Sequence, residues 1–186
     1  MVSLMSLAVP ILLSSVLVFF ASFVIHMVLP YHWTDMRTVP REDEVMDALR
    51  RFAIPPGDYA MPCSGTPANM RKPEFIEKQT RGPVVHMTVI KAGPPSMGKN
   101  LTLWFLYSLV VGVFAAYITS RALAPGSEYL QVFRFAGTIA FLGYALALAH
   151  DSIWYQRSWA TTWKYMFDGL VYGMLTAGTF GWLWPR

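Results

Sequence analysis

From Met1 to Thr34 the chain carries no acidic or basic residue other than histidine, and Asp35 is its first carboxylate. A helix needs about 20 apolar residues to cross a hydrocarbon core about 30 Å thick. The run over 1–30 exceeds that, so it predicts a first membrane-spanning helix that tilts or projects from the bilayer. It lacks the basic start and the small-residue cleavage site of a secretory leader. Pro10 falls in its first half, where a kink is tolerable if neighbours satisfy the freed carbonyl. A second uncharged run, Asn100 to Ser120, is 21 residues and predicts a span over 100–122. Two further apolar runs are shorter: 16 residues separate Arg134 from Asp151, and 17 separate Asp168 from Arg186. Each reaches a full crossing only with Arg134 or Asp168 inside its helix. The spans are therefore predicted at 129–150 and 161–184. The fold expected is an all-α membrane protein, four helices in a bundle.

Between the first two spans lies a loop domain, 31–99. After Pro40 the sequence places Glu42, Asp43 and Glu44 ahead of Arg50 and Arg51, an order that suits the helix dipole. Val45, Ala48, Leu49 and Phe52 share one face, which predicts a short amphipathic helix. The stretch 54–99 holds eight prolines and five glycines and is expected to be largely irregular. Val84–Ile90 is its one expected strand.

Within lipid, helices associate through close backbone approach at small residues. The second span carries Ser108, Gly112, Ala116 and Ser120, and the fourth carries Gly169, Gly173, Ala177 and Gly181, each a small residue at every fourth position. The third offers Ala136, Ala140, Gly143 and Ala147. A tightly packed bundle is expected, with a stripe remaining for a partner. Trp33, Trp104, Trp154, Trp159 and Trp163 gather toward one boundary and Trp182 and Trp184 toward the other, as in a headgroup belt.

Composition sharpens this picture. The chain of 186 residues is 54% hydrophobic and only 14% charged, which excludes a disordered chain and an ordinary water-soluble enzyme. A single cysteine, Cys63, permits no internal disulfide. The net charge of +4 contains no basic run longer than two residues, so no nucleic-acid partner is implied. Arg37, Arg41, Arg81, Lys91, Lys99, Arg157 and Lys164 lie toward one side, against Arg121, Arg134 and Arg186 on the other. The positive-inside rule then puts the loop 31–99 in the cytoplasm and both termini outside. The setting expected is a bacterial inner membrane.

Asp168 is the position that asks for an explanation, because an acid within a span is costly and usually faces the bundle interior. Lys164 is one turn earlier and is its nearest candidate partner. Counted by depth, His26 and His150 reach a similar level, with His32 and Asp151 just beyond. The sequence thus permits a candidate intramembrane polar cluster of His26, His150, Asp151, Lys164 and Asp168. His26 and His150 are the candidate metal ligands, and paired imidazoles leave a haem or a chlorophyll-type pigment open as a cofactor. No motif calls for a cofactor or a catalytic constellation. HExxH, GxSxG, GxGxxG and Walker patterns do not occur. The leading expectation is a non-catalytic accessory or scaffolding subunit of a larger membrane assembly, respiratory or photosynthetic in type, with lipid and other membrane subunits as partners. The alternative is a membrane enzyme or a small-molecule or proton carrier working through His26, His150 and Asp168.

Overall fold

The computed structural model describes residues 2–186. Its elements in chain order are α1 (Ala8–Phe23), α2 (Glu42–Arg50), β1 (Gly57–Met61), α3 (Pro73–Arg81), β2 (Val85–Val89), α4 (Met97–Ala122), α5 (Tyr129–Tyr144), α6 (Ala149–Tyr155) and α7 (Trp159–Trp182). Two units result. One comprises the chain up to Met36 with Ser96–Arg186, and the other is Arg37–Pro95.

Among the described residues, three segments are long and apolar enough to cross a membrane: Met5–Val28, Met97–Ala122 and Tyr129–Tyr155. In the helical unit, α1 packs on α4 and α7, and α5 packs on the same two, so that sequence neighbours are also spatial neighbours. Large apolar side chains face outward, among them Leu12, Phe20, Leu103, Leu106, Phe114 and Leu142. Inside lie Ser14, Ser15, Ser108, Ser120, Thr162 and Thr176. This is the reverse of a water-soluble bundle and suits a lipid surround, where apolar surface gains nothing by hiding. Several of the buried hydroxyls are satisfied within their own helices. Ser15 donates to the Ile11 carbonyl at 2.8 Å, Ser120 to Tyr117 at 2.8 Å and Thr176 to Tyr172 at 3.0 Å.

α7 is not one of these three segments, and much of it is interior. Its buried residues include Thr161, Thr162, Asp168, Gly169, Tyr172, Gly173, Thr176 and Thr179. Its glycines meet α5 and the residue after it. A Cβ on Gly169 would lie 2.7 Å from the Ala145 Cβ, and one on Gly173 would lie 3.3 Å from the Phe141 nitrogen. Gly181 lies against the Tyr129 ring. On α4, Ser108, Gly112, Ala116 and Ser120 are all buried, with Gly112 against Ile11 of α1. On α5, Ala136 and Ala140 are fully buried and Gly143 abuts Val111, whereas Ala147 is exposed beyond the helix break. The stripes of α4 and α7 are thus taken up inside the bundle and are not left over for a partner.

Several details depart from the sequence expectation. Pro10 sits in the first turn of α1, after a 3-10 turn at Met5–Leu7, where its missing N–H has no partner to lose; no kink is needed. The third span does not run as one helix to residue 150. It breaks at Ala145, beside the close approach of Gly169, and resumes through Leu146–Leu148 into α6. Glu128 and Gln131 form a reciprocal capping box that starts α5. Trp104 and Trp184 are tied to the bundle itself. The Trp104 indole donates to Ser22 at 2.8 Å, and the buried Trp184 donates to the Ala124 carbonyl at 3.0 Å.

The Arg37–Pro95 unit is more regular than one helix and one strand. β1 pairs antiparallel with β2, Tyr59 facing Met87. α3 opens on Pro73 with Glu74 in its first turn, and Lys78 and Arg81 close it before Gly82. No residue of this unit is buried.

Candidate functional site

The helical unit concentrates its ionisable groups where α1 ends and α7 begins, and a local reversal of the chain explains how. A π-turn, Val24–Val28, succeeds α1 and carries His26. Such a turn inserts an extra residue and re-phases the side chains after it. Pro30 then forces Leu29 into an extended conformation (φ −82°, ψ 133°), ending the helix. A 3-10 turn, Pro30–His32, and a further bond from the Asp35 N–H to the His32 carbonyl at 3.1 Å coil the chain tightly. Tyr31, His32 and Asp35 thereby meet the side chains of Lys164 and Asp168 on α7.

Asp168 is 1% exposed. One of its oxygens accepts from the Tyr31 hydroxyl, and the other faces His32 Nε2 at 2.8 Å. His32 Nδ1 faces Asp35 at 2.6 Å. Asp35 also accepts from Lys164 Nζ at 2.7 Å, and Lys164 donates to the Tyr31 carbonyl at 2.5 Å. His32 thus lies between two carboxyl groups, one at each ring nitrogen. The oxygens of Asp35 and Asp168 are paired by His32, Lys164 and Tyr31, as buried polar groups require. Burial pushes the Asp35 carboxyl up, but the hydrogen bonds from Lys164 and His32 outweigh it and hold it below its usual value. Burial, then the bond to Asp168, pushes the Tyr31 phenol above its usual value.

His26 stands apart from this hydrogen-bonded chain. Its Nε2 is 4.0 Å from an Asp168 oxygen, its side chain is 34% exposed, and its ring lies 4.4 Å from that of His32. Tyr165 walls both imidazoles, with ring centroids 5.6 Å from His26 and 4.8 Å from His32, and Arg157 covers Tyr165 at 4.9 Å. The ligand atoms of His26, His32 and Asp168 all lie within 4.8 Å of one another, so these three residues could hold a metal ion.

Of the residues singled out in the sequence, His26, Lys164 and Asp168 come together. His150 and Asp151 are not among them. His150 is exposed on α6, its ring beside Trp154 and Tyr155, and Asp151 lies 3.9 Å from Arg157. The break at Ala145 re-phases α6, so depth along the helix does not fix the direction of His150. The group that could hold a metal ion joins His26 to His32 and Asp168 and does not include His150. Lys164 serves Asp35 rather than Asp168, because the reversal at Pro30 brings it a second carboxylate. Tyr31 and Asp35 are site residues that depth alone does not reveal, and His32, just beyond the group by depth, belongs to it; Pro30 is the sequence signal for the reversal.

Below the site, toward the bundle centre, lies an aromatic layer. Tyr172 is one turn beyond Asp168 on α7 and 4% exposed, and its hydroxyl has no hydrogen-bond partner among the described residues. Its ring packs edge-on to Tyr144 and Trp104. Deeper still, Leu7, Ala116, Val132, Ala136 and Phe180 form an apolar plug. Ionisable groups at this end thus give way to aromatic and then aliphatic side chains. Comparison of the chain with protein-family models, with curated proteins and with solved structures finds no match in any of the three.

Proposed function

We propose that this chain is a four-span integral membrane protein of a bacterial inner membrane that works as an accessory or scaffolding subunit of a larger membrane assembly. α7 is the fourth span: its 24 residues reach about 36 Å, enough to cross, and it packs beside α1 and α5. The excess of Lys and Arg toward the loop places Arg37–Pro95 in the cytoplasm and both termini outside. The observation that carries the assembly reading is the loop unit itself. It contains no buried residue, yet exposes Val45, Met46, Leu49, Phe52 and Ile76. A unit of this size without a core is completed by another surface, here a partner subunit. Extraction in a mild detergent before native electrophoresis tests this. Co-migration with other polypeptides supports it, and a stable lone monomer contradicts it.

A second reading has its own observation. The buried cluster around Asp168 supports a membrane enzyme or small-molecule carrier, with His32 in the role that depth along the chain suggests for His150. Intramembrane ionisable groups mark working sites more often than packing. The apolar plug beyond Tyr172 favours access from one face over a proton path through the bilayer. Asp168→Asn then removes the activity while expression and assembly stay as in the wild type.

A further inference from the structure

We propose that His26, His32 and Asp168 bind a divalent first-row transition-metal ion, of the zinc, iron or manganese class, through two imidazole nitrogens and one carboxylate oxygen. Two histidines and one carboxylate, with positions left open, are a donor set suited to these ions. Around a tetrahedral ion with bonds of about 2.1 Å, neighbouring ligand atoms lie about 3.4 Å apart. Two separations in the site bracket that value: 2.8 Å from His32 Nε2 to Asp168 and 4.0 Å from His26 Nε2 to Asp168. Shifts of about half an ångström, one opening and one closing, bring both to ligand spacing.

The surroundings have the form of a metal site's outer shell. A ligating histidine almost always donates its other ring N–H to a carboxylate or carbonyl, which fixes its orientation. His32 does so, Nδ1 lying 2.6 Å from Asp35, and Asp35 is itself held by Lys164. Tyr31 fixes the Asp168 oxygen that is not shared with His32. A purely structural clasp accounts for Tyr31, His32, Asp35 and Lys164. It does not account for His26, which a π-turn presents toward Asp168 at a distance too long for a hydrogen bond. Nor does it account for the Tyr172 hydroxyl, buried one turn deeper on α7 with no hydrogen-bond partner among the described residues. A water or anion completing the coordination would give that hydroxyl its missing partner. On binding, the ion takes the His32 Nε2 lone pair, and any proton held there leaves to solvent. The site stands whether or not the chain works within an assembly.

The test uses the full-length protein with a tag free of histidine, purified metal-free, then titrated with Zn²⁺ alone or Co²⁺ alone and assayed for bound metal after desalting. The wild type is expected to retain one ion per chain. His26→Gln is the decisive variant, because His26 takes no part in the hydrogen-bonded clasp and its loss leaves the fold in place. It is expected to weaken binding at least ten-fold, as are His32→Gln and Asp168→Asn. Asp35→Asn keeps the stoichiometry but weakens affinity about 10- to 100-fold, and His150→Gln changes nothing. Circular dichroism of each variant confirms that it is folded. Absence of bound metal in the wild type, or equal binding by His26→Gln, overturns the proposal.

Discussion

Gly169→Ala adds one methyl group at the tightest contact between α7 and the chain after α5. The new Cβ would stand 2.7 Å from the Ala145 Cβ, 3.1 Å from the Tyr144 carbonyl carbon and 3.2 Å from the Ala145 Cα. Two of these three atoms are backbone, so no flexible side chain can move aside. Two effects compete. Alanine improves helix propensity over glycine by about 1 kcal/mol, whereas forcing a methyl into a packed contact costs about 1–3 kcal/mol. With backbone as the obstacle, the second wins, and a net loss of about 1 kcal/mol is expected. Gly98→Ala is the control, because no described atom lies within 4 Å of a Cβ there; it leaves stability unchanged or raises it. Ala145→Gly, combined with Gly169→Ala, removes the shortest contact and leaves those at 3.1 and 3.2 Å. The double variant should recover part of the loss, with a favourable coupling of about 0.5 kcal/mol or more. Stability is read by titrating SDS into mixed micelles and monitoring helix loss by circular dichroism. A Gly169→Ala protein as stable as the wild type, or no recovery in the double variant, refutes the idea that backbone contact at this glycine builds the bundle.

Other outcomes rest on single side chains. Tyr172→Phe deletes a buried hydroxyl that has no partner among the described residues. It should therefore stabilise the metal-free protein by up to about 1 kcal/mol in the same titration; destabilisation would mean the hydroxyl is bonded after all. Cys63 is the chain's one cysteine and is exposed, so it reports topology without mutation. A membrane-impermeant maleimide should label it in inverted inner-membrane vesicles and leave it untouched in intact spheroplasts; the opposite pattern would reverse the orientation.

Much of the helical unit is legible in the sequence because lipid makes few demands, each of which leaves a plain mark. Uncharged stretches locate the spans, and small residues at every fourth position locate the faces that meet. The stripes do not reveal their own pairing, so a face that looks free for a partner is occupied within the chain. The loop unit is harder to read. α3 has its signals in Pro73, Glu74, Arg81 and Gly82, but the density of proline around it obscures them. β1 lacks the alternation of a strand, and it forms because β2 offers it an edge. At the site, Lys164 and Asp168 stand out by charge and His26 by depth. Which histidine completes the group depends on the reversal after Leu29 and on the break at Ala145. Pro30 sets the first and the close approach of Gly169 accompanies the second, and neither is encoded in periodicity. The same reversal explains why Lys164 meets Asp35 in preference to the acid on its own helix.

The segment after α1 folds back so that His32 engages Asp168, and the whole site depends on that engagement. A double-mutant cycle reads it directly: Asp168→Ala, His32→Ala and the pair together, each unfolded in mixed micelles. Asp168→Ala alone should cost about 3–5 kcal/mol, since it leaves the buried partners His32 and Tyr31 without their acceptor. The pair should cost less than the sum of the singles by about 1.5–3 kcal/mol, the worth of a charged hydrogen bond. The parallel cycle with His150→Ala should be additive within about 0.5 kcal/mol. Additivity between His32 and Asp168, or coupling of Asp168 to His150 in its stead, would contradict the fold at this site.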